Sequence, residues 1–300
     1  MRSQGLLYIL ITAGLFGLGT VLTKLLVTDV SPLLLTVLTL AGGGAVLAVV
    51  LVSQRIPLVP PMTRTQWQHL LLLAVFGTAL PLMLIAEGFG HTTAVKGSFL
   101  IQVNGLAALG FAVLLLRERL TSMHLLGAMG IIVGSVLVAR PGTQVTTWAV
   151  TGGDGLVLAG AIGLGYAYIP AKQLAQLHAL QTSALRLLLG AAVLLPVLAL
   201  RFDSQILHVT QVVLWALPLL VVSSYGVAYL TLQLGLRLLP VWASASAMQT
   251  LPLFSLLFAI ALLGDTLTVP HVAGGTLVVA GGVVLSLASR RAPQAGAAPA

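Results

Sequence analysis

The sequence predicts an all-α integral membrane protein with ten transmembrane helices in two inverted five-helix repeats and both termini cytoplasmic. Composition is the first reason. Hydrophobic residues make up 58% of the 300 residues and charged residues 7%, with a mean hydropathy of +1.09. A surface bathed in water normally needs about 25% charged residues, so most of this surface must meet lipid. The second reason is segmentation, because ten apolar stretches approach the ~20 residues that cross a hydrocarbon core ~30 Å thick. The third is duplication: Leu116–Val138 (LRERLTSMHLLGAMGIIVGSVLV) returns as Leu263–Leu285 (LGDTLTVPHVAGGTLVVAGGVVL) without a gap, at an offset of 147 residues. At that offset Glu118 meets Asp265, Leu120 meets Leu267, Thr121 meets Thr268, His124 meets His271, Gly127 meets Gly274 and Gly134 meets Gly281. Gln102 meets Gln249, Gly88 meets Gly235 and Gly105 meets Pro252, so the copy extends beyond one helix. Five helices is an odd number, and the second copy therefore enters the membrane in the opposite sense.

Taken in order, the predicted spans are 5–27, 32–53, 66–89, 95–116 and 121–139 in the first repeat. The second repeat holds 155–173, 182–200, 211–236, 241–263 and 267–289. The first follows Arg2 and outruns the ~7–15 apolar residues of a cleavable signal sequence. Short breaks separate the others, such as Asp29-Val30-Ser31-Pro32 before the second and Arg140-Pro141-Gly142 after the fifth. The first repeat is assigned to 1–147 and the second to 148–289. Residues 290–300, small and aperiodic beyond Arg290-Arg291, are expected to form a disordered cytoplasmic tail. Orientation follows the bias of Lys and Arg toward the cytoplasm. One side collects Arg2, Arg55, Arg64, Arg117, Arg119, Lys172, Arg237, Arg290 and Arg291; the other has Arg140 and Arg201, with Lys96 near its mouth.

Several classes are excluded. With no cysteine there is no disulfide framework, thiolate metal site or cysteine nucleophile. The net charge of +8 is scattered singly between apolar segments, not gathered into a nucleic-acid-binding stripe. No HExxH, GxSxG or pair of intramembrane aspartates supports an enzyme. GHTTAVKGS at 90–98 has Val95 where a P-loop needs glycine, and Gly17-Leu18-Gly19 lacks the third glycine of a dinucleotide fingerprint. No cofactor is expected.

The end of the fourth helix of each repeat, with the fifth helix after it, resembles the EamA-like ten-helix carriers of the drug/metabolite transporter superfamily. The resemblance rests on Pro252, on Glu118-Arg119-Leu120-Thr121 and on Gly127 with Gly134, and it extends over nearly the whole chain. Gly105 stands where the first repeat's proline would fall, and the second repeat has Asp265-Thr266-Leu267-Thr268. An arginine common in the second helix of a repeat is matched by Arg186, with Thr39 at the first-repeat position. The resemblance implies a secondary carrier in the inner membrane, a monomer or homodimer, that moves a small polar or amphipathic solute by alternating access. Export of an amino acid or derivative is the task it implies. A lipid-linked sugar flippase, a nucleotide-sugar carrier and, more remotely, an intramembrane enzyme are the alternatives.

Candidate pathway residues follow from polar groups inside spans. A membrane-embedded lysine either faces a cavity or snorkels to the interface; Lys24, in line with Thr20 and Phe16, is the first such residue. Lys172 is its counterpart at an offset of 148, and the pair is read as two attraction points for an anionic group. Arg186, early in the seventh helix, either snorkels or grips a carboxylate with two nitrogens. Tyr225, Tyr229 and Gln233 recur on one face of the eighth helix, and Tyr166 and Tyr168 flank the middle of the sixth. Gln102 and Asn104 lie two residues apart, so at most one faces a cavity; Gln102 is assigned to the pathway. Gln249, with Trp242 and Ser246, marks one face of the ninth helix. Glu87, the one carboxylate placed inside a span, is the candidate for proton coupling, against a pairing with His91, Lys24 or Lys96. Gly130-x-x-x-Gly134 reads as a close-packing face, and Glu118, Asp265, His124 and His271 as structural groups at helix starts.

Overall fold

A computed structural model describes residues 2–116, 122–138, 152–202, 206–239, 244, 247–248, 250–264 and 269–291. The first half runs α1 (Arg2–Leu26), α2 (Pro32–Ser53), α3 (Arg64–Ala74), a π-helical segment π1 (Val75–Ala79), α4 (Leu80–Gly90), α5 (Ala94–Ile101), α6 (Val103–Leu116) and α7 (Ser122–Val138). The second runs α8 (Gly152–Gln173), α9 (Ala179–Leu200), α10 (Gln211–Leu220), a second π segment π2 (Val221–Val227), α11 (Ala228–Leu238), α12 (Leu251–Leu263) and α13 (Val269–Arg291). Six continuous helical stretches are long and apolar enough to cross a membrane: Ser3–Leu26, Pro32–Ser53, Arg64–Gly90, Gly152–Gln173, Ala179–Leu200 and Gln211–Leu238. Four shorter apolar helices, 103–115, 125–134, 251–263 and 272–284, fall at the remaining predicted spans. The motif Glu118-Arg119-Leu120-Thr121, its echo at 265–268, and Gln249, Trp242 and Ser246 lie outside the described residues.

Local sequence explains the elements. Pro32 opens α2, where its missing N–H costs nothing. Thr63 caps α3 reciprocally with Gln66, which fixes the start of the third crossing. The two π segments, 75–79 and 221–227, lie at equivalent positions of the repeat. Pro81 follows the first and supplies no N–H to the carbonyl four residues earlier, that of Gly77. π-bulges of this kind are frequent at functional sites.

The halves interlock instead of sitting side by side. α1 packs on α11 and α12, α2 on α9, α4 and α6 on α8, and α7 on α13. The α7–α13 contact is the close glycine face expected from the sequence. A Cβ on Gly134 would stand 2.5 Å from the Gly274 carbonyl, and one on Gly130 3.1 Å from the Gly281 Cα. Outward-facing apolar residues such as Leu114 and Leu200 meet lipid, the solvent such a surface requires.

Each membrane face is crossed by a loop that ties one half to the other. On the face away from the N-terminus, Ser31 N donates to Ile206 O at 2.9 Å, His208 N to Asp29 O at 2.8 Å, and the Thr210 hydroxyl to Asp29 Oδ2 at 2.7 Å. On the N-terminal face Gln181 Nε2 donates to Pro57 O at 2.5 Å. Between these ties lies the interior cavity.

Candidate functional site

A cavity of ≈ 110 Å³ lies where the two halves meet. That exceeds several-fold the roughly 10–15 Å³ a single water needs. Both repeats contribute to its wall: Thr20, Thr36, Thr39 and Asn104 come from the first, Tyr168, Arg186, Tyr225 and Tyr229 from the second, among mostly apolar neighbours.

Arg186 dominates the chemistry. It sits in the second turn of α9 and is only 5% exposed, so its side chain points inward and does not snorkel. Nε donates to Thr78 Oγ1 at 2.5 Å and Nη2 to Gly77 O at 2.9 Å, the carbonyl that Pro81 leaves without a helical donor. Thr78 can accept because its own proton goes to Leu73 O at 2.7 Å. The guanidinium carbon lies 4.6 Å from the centre of the Tyr229 ring, within cation–π range. Among the described residues no carboxylate reaches it; the ion pair seen there is His91 with Glu87. The site therefore holds a buried positive charge supported by dipoles and a π face, with no anion among the described residues to neutralise it.

An aromatic shelf adjoins this charge. Phe16 meets Tyr229 edge-on with centroids 5.2 Å apart, and Tyr225 follows at 6.0 Å. Tyr225 and Thr39 face each other across the cavity wall, and the Thr39 hydroxyl donates to Leu35 O at 2.9 Å and Thr36 O at 3.0 Å. Thr39 and Tyr225 are the 147-residue equivalents of Arg186 and Thr78, so the same two positions come together at the cavity in both halves, as arginine with threonine in one and as threonine with tyrosine in the other. Thr20 also lines the cavity; its hydroxyl lies 2.7 Å from Ser255 and 3.1 Å from Ser98, which stand 2.6 Å apart.

The two lysines occupy neither a free mouth nor the cavity wall. Lys24 Nζ donates to Phe89 O at 2.8 Å, and Lys172 Nζ donates to Leu236 O at 2.5 Å and Leu239 O at 2.8 Å. Phe89 and Leu236 belong to the last turn of the third crossing of the lysine's own half, and Leu239 is the residue that follows it, so each cation complements a helix dipole. Phe89 and Leu236 are themselves equivalents at the 147-residue offset. The repeat thus places one lysine–carbonyl clasp at each end of the cavity.

Other expected residues fall elsewhere. Tyr166 stacks edge-on with Phe111 at 5.4 Å and lines a separate apolar groove with Phe76, Leu80 and Ile162, all of which are exposed. Gln102 is buried in the turn between α5 and α6 and is not on the cavity wall, whereas Asn104 is. Glu87 is half exposed, with His91 Nε2 3.9 Å away, and does not line the cavity. Asp154, which the expected start at 155 leaves outside a span, falls within α8; it is 2% exposed and accepts from the Thr92 hydroxyl at 2.9 Å. Thr78, Asn104 and Asp154 had no distinguishing signal beyond being polar residues within or beside apolar runs.

Two interlocked helical repeats around a polar-centred cavity in an apolar exterior define a multi-pass membrane protein built to pass small solutes. The chain belongs to the EamA-like transporter family, which matches residues 3–140 and 151–287, one match per repeat. A solved crystal structure shares the fold with a TM-score of 0.75 at 21% identity, covering 98% of this chain and 100% of its own. A search of curated protein sequences finds no significant match.

Proposed function

We propose that the protein carries a small amphipathic carboxylate, an amino acid or derivative, out of the cell across the cytoplasmic membrane by alternating access, with both termini inside. The observation that carries this reading is Arg186: a guanidinium buried in the central cavity, without a carboxylate partner among the described residues. A buried charge is costly unless paired, and a carboxylate arriving with the solute is the complement that arginine's fork recognises best. The shelf of Phe16, Tyr225 and Tyr229 suits an apolar body. Inverted repeats that meet around such a site support exchange between two faces by rocking one half against the other.

The lateral groove does not favour the flippase alternative. It shares no wall residue with the central cavity, and Tyr166 is its one polar side chain, too few donors and acceptors for a sugar headgroup. The test is counterflow in proteoliposomes with a panel of amino acids, with and without a pH gradient. Accumulation of labelled amino acid against excess unlabelled solute is the expected result, and silence across the panel refutes the reading.

A further inference from the structure

Arg186 accounts for one end of the solute. A second polar group on the cavity wall is satisfied by no donor among the described residues. Asn104, in the first turn of α6, is 6% exposed, lines the central cavity, and has an Oδ1 with no hydrogen-bond donor among the described residues. Burying a carbonyl oxygen of this kind without a partner destabilises the protein, so it is retained either at a loss or for a donor that comes and goes.

We propose that Asn104 is a specificity-determining residue that accepts a hydrogen bond from the α-ammonium of the solute, so that the site selects zwitterions over simple carboxylates. The proposal rests on the reading of Arg186 as the carboxylate ligand and adds the second contact. Arg186 enters the cavity from α9 and Asn104 from α6, helices that pack on different neighbours, α2 and α11 for the first and α8 for the second. An ammonium cannot sit beside the guanidinium, because two like charges in a low-dielectric site repel. It must lie toward an acceptor elsewhere on the wall. Among the described residues no carboxylate lines the cavity, so the acceptor has to be a neutral dipole, and the Asn104 Oδ1 is one that is buried and not already committed. A neutral acceptor also sets the overall charge. With one arginine and no acid, the cavity takes a solute of net charge zero or −1 and rejects a bare amine. Gln102, two residues earlier, is buried off the wall and is not a substitute.

The test compares leucine with 4-methylpentanoate, its analogue without the amino group, and with 3-methylbutylamine, which lacks the carboxylate. All three are assayed as competitors and as counterflow substrates in proteoliposomes of wild type, Asn104→Leu and Asn104→Asp. In wild type, leucine should be preferred over 4-methylpentanoate by at least ~10-fold, the worth of one hydrogen bond to a charged donor, and the amine should not be carried. Asn104→Leu should bring leucine down to the level of 4-methylpentanoate, with thermal unfolding in detergent showing that the variant is folded. If Asn104→Leu does not fold, Asn104→Asp decides. There leucine is carried and 4-methylpentanoate falls further, because its single charge now meets a like charge with no ammonium to offset it. An unchanged leucine-to-4-methylpentanoate ratio in the variants, with wild type active on both, overturns the role of Asn104 and leaves the carboxylate reading intact. Absence of exchange by wild type with every carboxylate overturns both.

Discussion

Arg186→Met separates a solute ligand from a structural brace, because the structure lets the two costs be weighed. Methionine keeps an unbranched stem and removes the guanidinium. The two hydrogen bonds lost, to Thr78 and Gly77, are each worth ~1.5–3 kcal/mol as bonds from a charged donor. The contact with Tyr229 adds ~1–2 kcal/mol for a desolvated cation over an aromatic face. Against these roughly 4–8 kcal/mol stands the cost of desolvating the ion, itself several kcal/mol. The net contribution of Arg186 to stability is therefore small. Thr78 keeps its bond to Leu73 O after the change, leaving the Gly77 carbonyl as the one newly unpaired group, at ~1–3 kcal/mol. For a chain of this size that lowers the melting temperature by at most about 12 °C, at ~2–4 °C per kcal/mol. Losing a buried charged contact to the solute costs ~2–5 kcal/mol of binding, a weakening of roughly 30-fold or more. The assay is leucine counterflow in proteoliposomes beside thermal unfolding in detergent. Exchange lost with a modest fall in melting temperature is the expected outcome. Leucine exchange within threefold of wild type refutes the ligand role, and a fall beyond about 20 °C refutes the energetic argument.

Three further perturbations follow. Because the chain has no cysteine, single cysteines report access cleanly: Lys24→Met should raise thiol labelling of Ala86→Cys from the face away from the N-terminus by ~10-fold, the worth of one charge-assisted bond. Lys172→Met should do the same for Leu251→Cys from the N-terminal face, and labelling unchanged in both pairs would show that the clasps do not hold the ends closed. Glu87→Gln should leave exchange and its pH dependence unchanged, since Glu87 is half exposed beside His91 and off the cavity wall; a lost pH dependence would make it the coupling group. Gly134→Leu should lower the melting temperature by several degrees, because its Cβ would meet the Gly274 carbonyl at 2.5 Å and overpacking costs ~1–3 kcal/mol. Gly110→Leu, with nothing within 4 Å of its Cβ, should leave it unchanged.

The membrane class, the ten segments and the duplication are legible in the sequence because composition, run length and a constant offset survive any detail of packing. Polarity inside a span is legible too, which is how Arg186 and Thr20 enter as candidates, and both line the cavity. Azimuth is not. Tyr166 and Tyr168 are two residues apart on α8 and face different partners, an apolar groove and the central cavity. For Gln102 and Asn104 the obstacle is a break between α5 and α6 at 102, which resets the 3.6-residue period that would have ranked them. The π segments leave no compositional mark either. VFGTA and VVSSYGV read as ordinary helix, yet their register shift is what presents Gly77, Thr78 and Tyr225 to the interior. Lysine offers a third case. A cation in the last turn of a span, as Lys24 and Lys172 are, is compatible with snorkelling, with a cavity and with a helix end, and only the fold shows that a helix end is the partner.

The duplication has a consequence that neither copy alone predicts. At the rims the two halves are chemically alike: Lys24 clasps Phe89 O as Lys172 clasps Leu236 O, so closing either face draws on the same kind of bond. At the centre they are unlike, because the position that is Thr39 in one half is Arg186 in the other, and Tyr225 stands opposite Thr78. On the proposed alternating access, clasps of the same kind would help to keep the two end states close in free energy, since a difference of several kcal/mol would trap the carrier facing one side. On the proposed function, unequal centres would give the solute one orientation, its anion toward α9 and the rest toward the aromatic shelf. Restoring symmetry at the centre, by Thr39→Arg, would place a second guanidinium beside Tyr225. It should abolish exchange of a monocarboxylate while leaving the clasps in place, and leucine exchange that survived it would show that the asymmetry of the site is incidental.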